Sequence, residues 1–163
     1  SKESLASTLI SDCRLKLERA QTAGNDLILD VKTVEDTYKD GYILVVDEDE
    51  TMQNLLMLIF NRLHFEVIIA KDIYEAFETV KSTSIDAIIS EINLSKLDGL
   101  QFKRWLNESH TYKSIPFIIA SHHKNAEIIK RCNALGVDFV LKKPLITEEI
   151  TGLVQRLTKR HAS

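Results

Sequence analysis

Asp47, Glu48, Glu91, Ser121 and Lys143 each stand at the end of a short, largely β-branched apolar run: "YILVVDEDE", "DAIISE", "PFIIAS" and "GVDFVLKKP". Three carboxylates brought to one place repel one another unless a cation or protons intervene. Such a cluster either holds a hard divalent metal or has one member with a raised pKa. Mg2+ suits these donors, since it accepts a few carboxylates and keeps waters at its remaining positions. A hydroxyl at Ser121 and a positive charge at Lys143 complete a set able to stabilise a phosphoryl group in transfer. Each residue alone reads as a solvated acid or as a lysine in a turn before Pro144. Together, in this order on successive strand ends, they point to a phosphoryl site.

To converge, these residues need one edge of one sheet. From Tyr42 onward, strand-like runs alternate with helices of amphipathic period. "YILVVD" leads to Met52, Leu55, Leu56, Ile59, Phe60 and Leu63 on one helix side; "EVIIA" leads to Ile73, Ala76, Phe77 and Val80. "DAIIS" leads through a loop to Leu100, Phe102, Trp105 and Leu106, "PFIIA" to Ile128, Ile129, Cys132 and Leu135, and "DFVL" to Ile150, Leu153, Val154 and Leu157. Near-continuous apolar strands alternating with amphipathic helices specify a parallel sheet covered on both faces. In such open sheets, ligands and chemistry gather beyond the carboxyl ends of the strands.

The 163 residues suffice for one domain with an extension, and a net charge of −3 gives no electrostatic case for nucleic acid or an anionic membrane. Cys13 and Cys132 show neither metal-ligand spacing nor a disulfide framework, which makes a reducing, cytoplasmic setting the simplest expectation. No apolar stretch approaches the roughly 20 residues of a membrane span. Residues 1–41 read as an extension. Ala6, Ile10, Cys13, Leu17 and Ala20 mark a helix from about Glu3 to Ala23, before Gly24. Leu27, Leu29 and Val31 alternate like a short strand, and Asp40-Gly41 signals a turn. The chain opens at Ser1 inside that helical pattern, so a piece of a longer protein is expected, with the regular domain at 42–163.

Over about residues 42 to 160 the motifs resemble the response-regulator receiver domains of two-component signalling. "ILVVDEDE" is similar to the family's first strand with its metal-binding acidic pair, here Asp47 and Glu48. "IISEINLSKLDG" is similar to the phospho-acceptor strand and loop, with Asn93 where a backbone carbonyl helps hold Mg2+. "PFIIAS" places the family's hydroxyl at Ser121, and "GVDFVLKKP" its lysine at Lys143, before a proline whose peptide bond is usually cis. The resemblance implies a flavodoxin-like α/β fold, a three-layer sandwich around a five-stranded sheet of order 2-1-3-4-5, with the N-terminal helix as an addition. It also implies phosphorelay partners: a sensor histidine kinase or other signalling protein, an attached output or sensor domain, and a homodimer through the fourth helix, fifth strand and fifth helix (Asn125 to Leu135 and Phe139 to Leu157).

Two departures shape the functional expectation, and a third carries no function. The family's acceptor aspartate is Glu91, which adds one carbon–carbon bond, roughly 1.5 Å of reach. An acyl phosphate on Glu91 would be displaced from the metal, Ser121 and Lys143, and misplacement by about 1 Å can cost ~100-fold in rate. The longer carboxylate instead reaches toward Lys143 and Ser121, imitating part of the phosphorylated state in position, though with one negative charge in place of about 1.5 to 2. The aromatic switch position is Val140, and neighbouring Phe139 points to the opposite strand face. Ser95 stands at the loop proline, and His64 at a glycine position where it can take a left-handed conformation. The expectation is a pseudo-receiver that works through protein–protein interaction without the ordinary phosphorylation cycle.

Two other functions compete. "VVDEDET" also fits the Asp-x-Asp-x-Thr pattern of haloacid-dehalogenase-like phosphohydrolases, with Asp47 as nucleophile and Asp49 as acid/base. Those enzymes need a further acidic strand end beyond the lysine, and only Glu148 and Glu149 in a helical pattern follow. A flavodoxin-type cofactor protein shares the topology, but Asp47, Glu48, Asp49 and Glu50 would repel its phosphate. His110, His122 and His123 read as solvated histidines more readily than as zinc ligands.

Overall fold

The computed structural model describes residues 39–162, with side chains as far as Lys159; the expected helix at 3–23 and strand at 27–31 lie outside the described residues. Five strands and five helices alternate: β1 (Gly41–Val46), α1 (Glu50–Arg62), β2 (Phe65–Ala70), α2 (Ile73–Ser82), β3 (Ala87–Ser90), α3 (Gly99–Glu108), β4 (Phe117–Ser121), α4 (Ala126–Ala134), β5 (Phe139–Lys142) and α5 (Thr147–Ala162). All strand pairs are parallel, in the order β2-β1-β3-β4-β5. Gly41, read from the sequence as part of a turn, is instead the first residue of β1. It pairs with Phe65, while the Asp40 N–H donates to the His64 carbonyl. His64 adopts φ 65°, and the Lys143–Pro144 bond is cis.

The strands' period of two divides the core. Ile43, Val45, Ala87, Ile89, Ile118, Ala120 and Leu141 face one way, with Met52, Leu56, Phe60, Ile150, Leu153 and Val154 of α1 and α5 packed on them. Leu44, Val46, Ile88, Phe117 and Ile119 face the other way, toward Ile73, Ala76, Leu100, Phe102, Leu106 and Cys132 of α2, α3 and α4. An aromatic chain ties this second half together: Phe77 lies 4.5 Å from Trp105 and 5.3 Å from Phe102 between ring centroids. Phe102 lies 6.0 Å from Phe117, and Trp105 stacks on Tyr112 at 5.7 Å. Asp49, Asp72, Asp98 and Asn125 cap α1 to α4, each accepting a hydrogen bond from a backbone N–H of the first turn.

Three side chains depart from the faces that the apolar stripes predict. Leu55, expected on the buried side of α1, is 38% exposed, and Gln53 is buried in its place. The interior stripe of α1 runs 52, 53, 56, 59, 60, so Leu55 belongs to the outer face despite its side chain. In α3, Lys103 is buried (3% exposed), its Nζ 3.4 Å from the Lys113 carbonyl oxygen and 5.7 Å from the Phe117 ring centroid. Burial pushes the Lys103 ammonium below its usual pKa, partly opposed by Asp138. For a base whose folded pKa is depressed, the charged form opposes folding below that pKa, and the cost fades as pH rises toward the unfolded value near 10.5. Lys103→Met is accordingly expected to raise stability by about 1–2 kcal/mol at neutral pH. Urea unfolding checks this, and the gain should shrink as the buffer approaches pH 10.

Candidate functional site

The site is built by main-chain bonds that continue the strand ladders past their last residues. The Asp47 N–H donates to the Ala70 carbonyl (3.1 Å), Glu91 N–H to Val46 (2.9 Å) and Lys143 N–H to Ser121 (2.8 Å). Positions 47, 91 and 143 continue the odd-numbered alternation of β1, β3 and β5, so all three project toward the α1 and α5 side at one sheet edge. Ser121 has the other parity and ends β4, fully buried.

At the centre is the Lys143 ammonium. Its Nζ donates to Asp47 Oδ2 at 2.7 Å and to Glu91 Oε2 at 2.8 Å, and all three side chains are at least nine-tenths buried. Glu91 Oε1 accepts the N–H groups of Ile92 (2.8 Å) and Asn93 (3.2 Å). Asp47 Oδ1 accepts the Asp49 N–H at 2.9 Å, and the Asp47 carbonyl accepts from Gln53 Nε2 at 2.7 Å. Burial pushes the Glu91 carboxyl up, but bonds from Lys143 and Ser121 and the Lys143 charge together outweigh it and hold the pKa below the ordinary value. Burial likewise pushes Lys143 down, and the bonds and charges of Asp47 and Glu91 reverse it to a net rise. The Ser121 hydroxyl also accepts the His123 N–H at 3.3 Å.

Of the sequence-nominated residues, the fold thus gathers Asp47, Glu91, Ser121 and Lys143. It turns Glu48 away. The Glu48 carboxylate is exposed and accepts two bonds from Ser95, the backbone N–H at 2.6 Å and the hydroxyl at 2.5 Å, which lower its pKa. Asn93 contributes its N–H to Glu91. Three carboxylates therefore do not converge, and among the described residues no group of three acidic, imidazole or thiol side chains is placed to hold a metal ion. The donors present do not fit Mg2+. Asp47 and Glu91 have their oxygens committed to Lys143 and to backbone N–H groups, whereas Mg2+ demands near-octahedral oxygen donation.

Gln53 and Ser95 are site residues that the motif reading missed. Gln53 was findable, because 53, 56 and 60 share one helix face and a polar residue there needs an interior partner. Ser95 carried no local signal, since its partner lies 47 positions away in the chain. Asp49 is the α1 cap, its carboxylate accepting from Thr51 N–H, and after Lys143 the described chain holds only α5. His110, His122 and His123 are exposed. Val140 is half-buried against the α2–α3–α4 half of the core, and Phe139 is 45% exposed.

Comparison with known proteins converges on one family. The family model described as "Response regulator receiver domain" matches residues 43–155. The "Two-component response regulator-like APRR5" of Arabidopsis thaliana is 25% identical over 123 residues; the match spans 74% of this chain and 22% of that protein's length. Among solved structures, the signal receiver domain of a signal transduction histidine kinase from Syntrophus aciditrophicus superposes with TM-score 0.68 at 25% identity, covering 73% of this chain and 90% of that one. The receiver domain of a sensor histidine kinase from Pseudomonas aeruginosa PAO1, whose structure has a magnesium ion coordinated in the active site cleft, superposes with TM-score 0.67 at 22% identity. It covers 73% of this chain and 98% of that one. The matched segment, together with the strand order, fixes the assignment: the chain belongs to the response regulator receiver domain family.

Proposed function

We propose that this receiver is a cytoplasmic pseudo-receiver that relays signals by protein–protein contact within a larger signalling protein, without the ordinary phosphorylation cycle. The observation that carries this reading is the Lys143 ammonium held between Asp47 and Glu91. Glu91 has the reach to engage the lysine directly, and its other oxygen is closed by two backbone N–H groups. A carboxylate so committed is a poor nucleophile, and the acyl phosphate it would form stands about one bond length out of place. Lys143 already has the kind of partner that a phosphoryl group would give it, so the switch is fixed by sequence. Val140 supplies no ring to move behind Ser121, so transmission by an aromatic swing is absent too.

The surface offered to partners is the face of α4, β5 and α5, where Phe139 of β5 and Ile146, in the loop before α5, are 45% and 60% exposed. Isolated exposed apolar residues are ordinary, but two on the expected output face favour contact with an attached domain, a kinase or a second copy. The phosphohydrolase reading gains nothing from the site, because Asp47 is neutralised by Lys143 and Asp49 is spent on capping α1. We therefore read the domain as no enzyme.

Treatment with acetyl phosphate at saturating Mg2+, followed by intact mass measurement, tests the proposal on the parent and on Glu91→Asp. A phosphorylated species is expected for the variant only. Equal labelling of the parent would overturn it.

A further inference from the structure

The receiver reading leaves one arrangement unexplained. Glu48, the second acid of the pair after β1, is drawn out of the pocket by a single residue, Ser95, which gives both its hydroxyl and its backbone N–H to the same oxygen, Oε1. The loop that carries Ser95 is tied on its other side as well, by Lys96 Nζ to Asp72 Oδ2 at 2.8 Å and by Gly99 N–H to the Ile92 carbonyl at 2.9 Å. The two donors are therefore presented by an anchored backbone. Bonds to an ionised acceptor are the stronger kind, and two of them converge on one atom.

What remains in the pocket is two carboxylates around an ammonium, with backbone N–H groups on the Asp47 and Glu91 oxygens that do not face Lys143. A hard divalent cation would have to displace Lys143 while drawing on a third acid that is already occupied elsewhere. A proline at position 95 would have no N–H and no hydroxyl to offer Glu48.

We propose that Ser95 is a specificity-determining residue of this pocket: by capturing Glu48 it lowers the site's affinity for a divalent cation in favour of the lysine ammonium. The proposal rests on the receiver reading of the pocket and concerns its ion selectivity. Loss of the cation site is thus built from the loop as well as from Glu91. It also predicts that a single change outside the buried triad raises the site's affinity for a divalent cation.

Mn2+ titration followed by electron paramagnetic resonance of the free aquo ion tests this without any phosphorylation step. Ser95→Pro is expected to tighten Mn2+ binding about tenfold or more, and Ser95→Ala, which removes one donor, by roughly threefold. Ser95→Thr keeps both donors and should bind as the parent does. Adding Glu48→Gln to Ser95→Pro should return the affinity to the parental value. Parental affinity in both Ser95→Pro and Ser95→Ala, with native circular dichroism, would overturn the proposal, as would a gain that survives Glu48→Gln. Should Ser95→Pro fail to fold, Ser95→Ala and its Glu48→Gln double variant decide alone. Labelling of the parent by acetyl phosphate would instead strike the pseudo-receiver reading, so the two failures are separable.

Discussion

Lys143→Met is expected to lower the unfolding free energy by about 3–5 kcal/mol at neutral pH, because breaking a buried ion pair from one side leaves uncompensated charge. Here it leaves two carboxylates, Asp47 and Glu91, that share only that ammonium and are each at least nine-tenths buried. Like charges at such range cannot both ionise cheaply, so the variant should recover stability as pH falls and one acid takes a proton. The parent behaves in the opposite sense. Glu91, with its folded pKa below the usual 4.5, contributes stability that is present above pH 4.5 and lost as pH falls through the folded value. Lys143, with its folded pKa above 10.5, contributes stability that is fully present below pH 10.5 and lost as pH rises through the folded value. Urea midpoints of parent and variant between pH 4 and pH 8 give the check: a deficit that is the same at every pH would contradict the ion triad.

The second large effect is expected at Gly99. This residue opens α3 directly beneath the end of β3, and a Cβ there would fall inside the van der Waals shell of the Glu91 carbonyl oxygen and 2.8 Å from Ser90 Oγ. Neither neighbour is free to yield: Ser90 Oγ donates to that same carbonyl at 3.0 Å, and the Glu91 N–H is bonded to Val46. Gly99→Ala should therefore cost about 3 kcal/mol, at the upper end for overpacking. It should also displace Glu91 from Lys143, seen as amide shifts at Glu91 and Asn93 in a heteronuclear correlation spectrum. Gly152, inside α5 with nothing within 4 Å of its would-be Cβ, provides the control. Alanine there should stabilise by about 0.5–1 kcal/mol through helix propensity.

The architecture was readable because each strand is a nearly unbroken apolar run followed by an apolar helical stripe, a pattern that only a covered parallel sheet accommodates. The convergence of Asp47, Glu91 and Lys143 was readable for a simpler reason: all three are the first polar residues at like-parity positions past their strands. Glu48 could not be read this way. Its neighbour Asp47 takes the inward direction, and whether Glu48 turns toward the pocket or toward the loop depends on Ser95, a contact between remote segments. Lys103 was invisible because its position continues the face of α3 next to Phe102 and Leu106, where the stripe alone would put an apolar side chain. Leu55 failed in the converse way, being apolar at a position whose helical phase is outward.

The row of rings from Phe77 through Trp105 to Tyr112 has a practical consequence. Trp105 is the sole tryptophan of the chain, half-buried, with the Lys81 ammonium 5.7 Å from its ring. Its emission belongs to the α2–α3–α4 half of the core, in the helix whose first residue, Gly99, lies against the Glu91 carbonyl. A ligand-induced change in colour or intensity would thus record motion passed from the Glu91 carbonyl into α3.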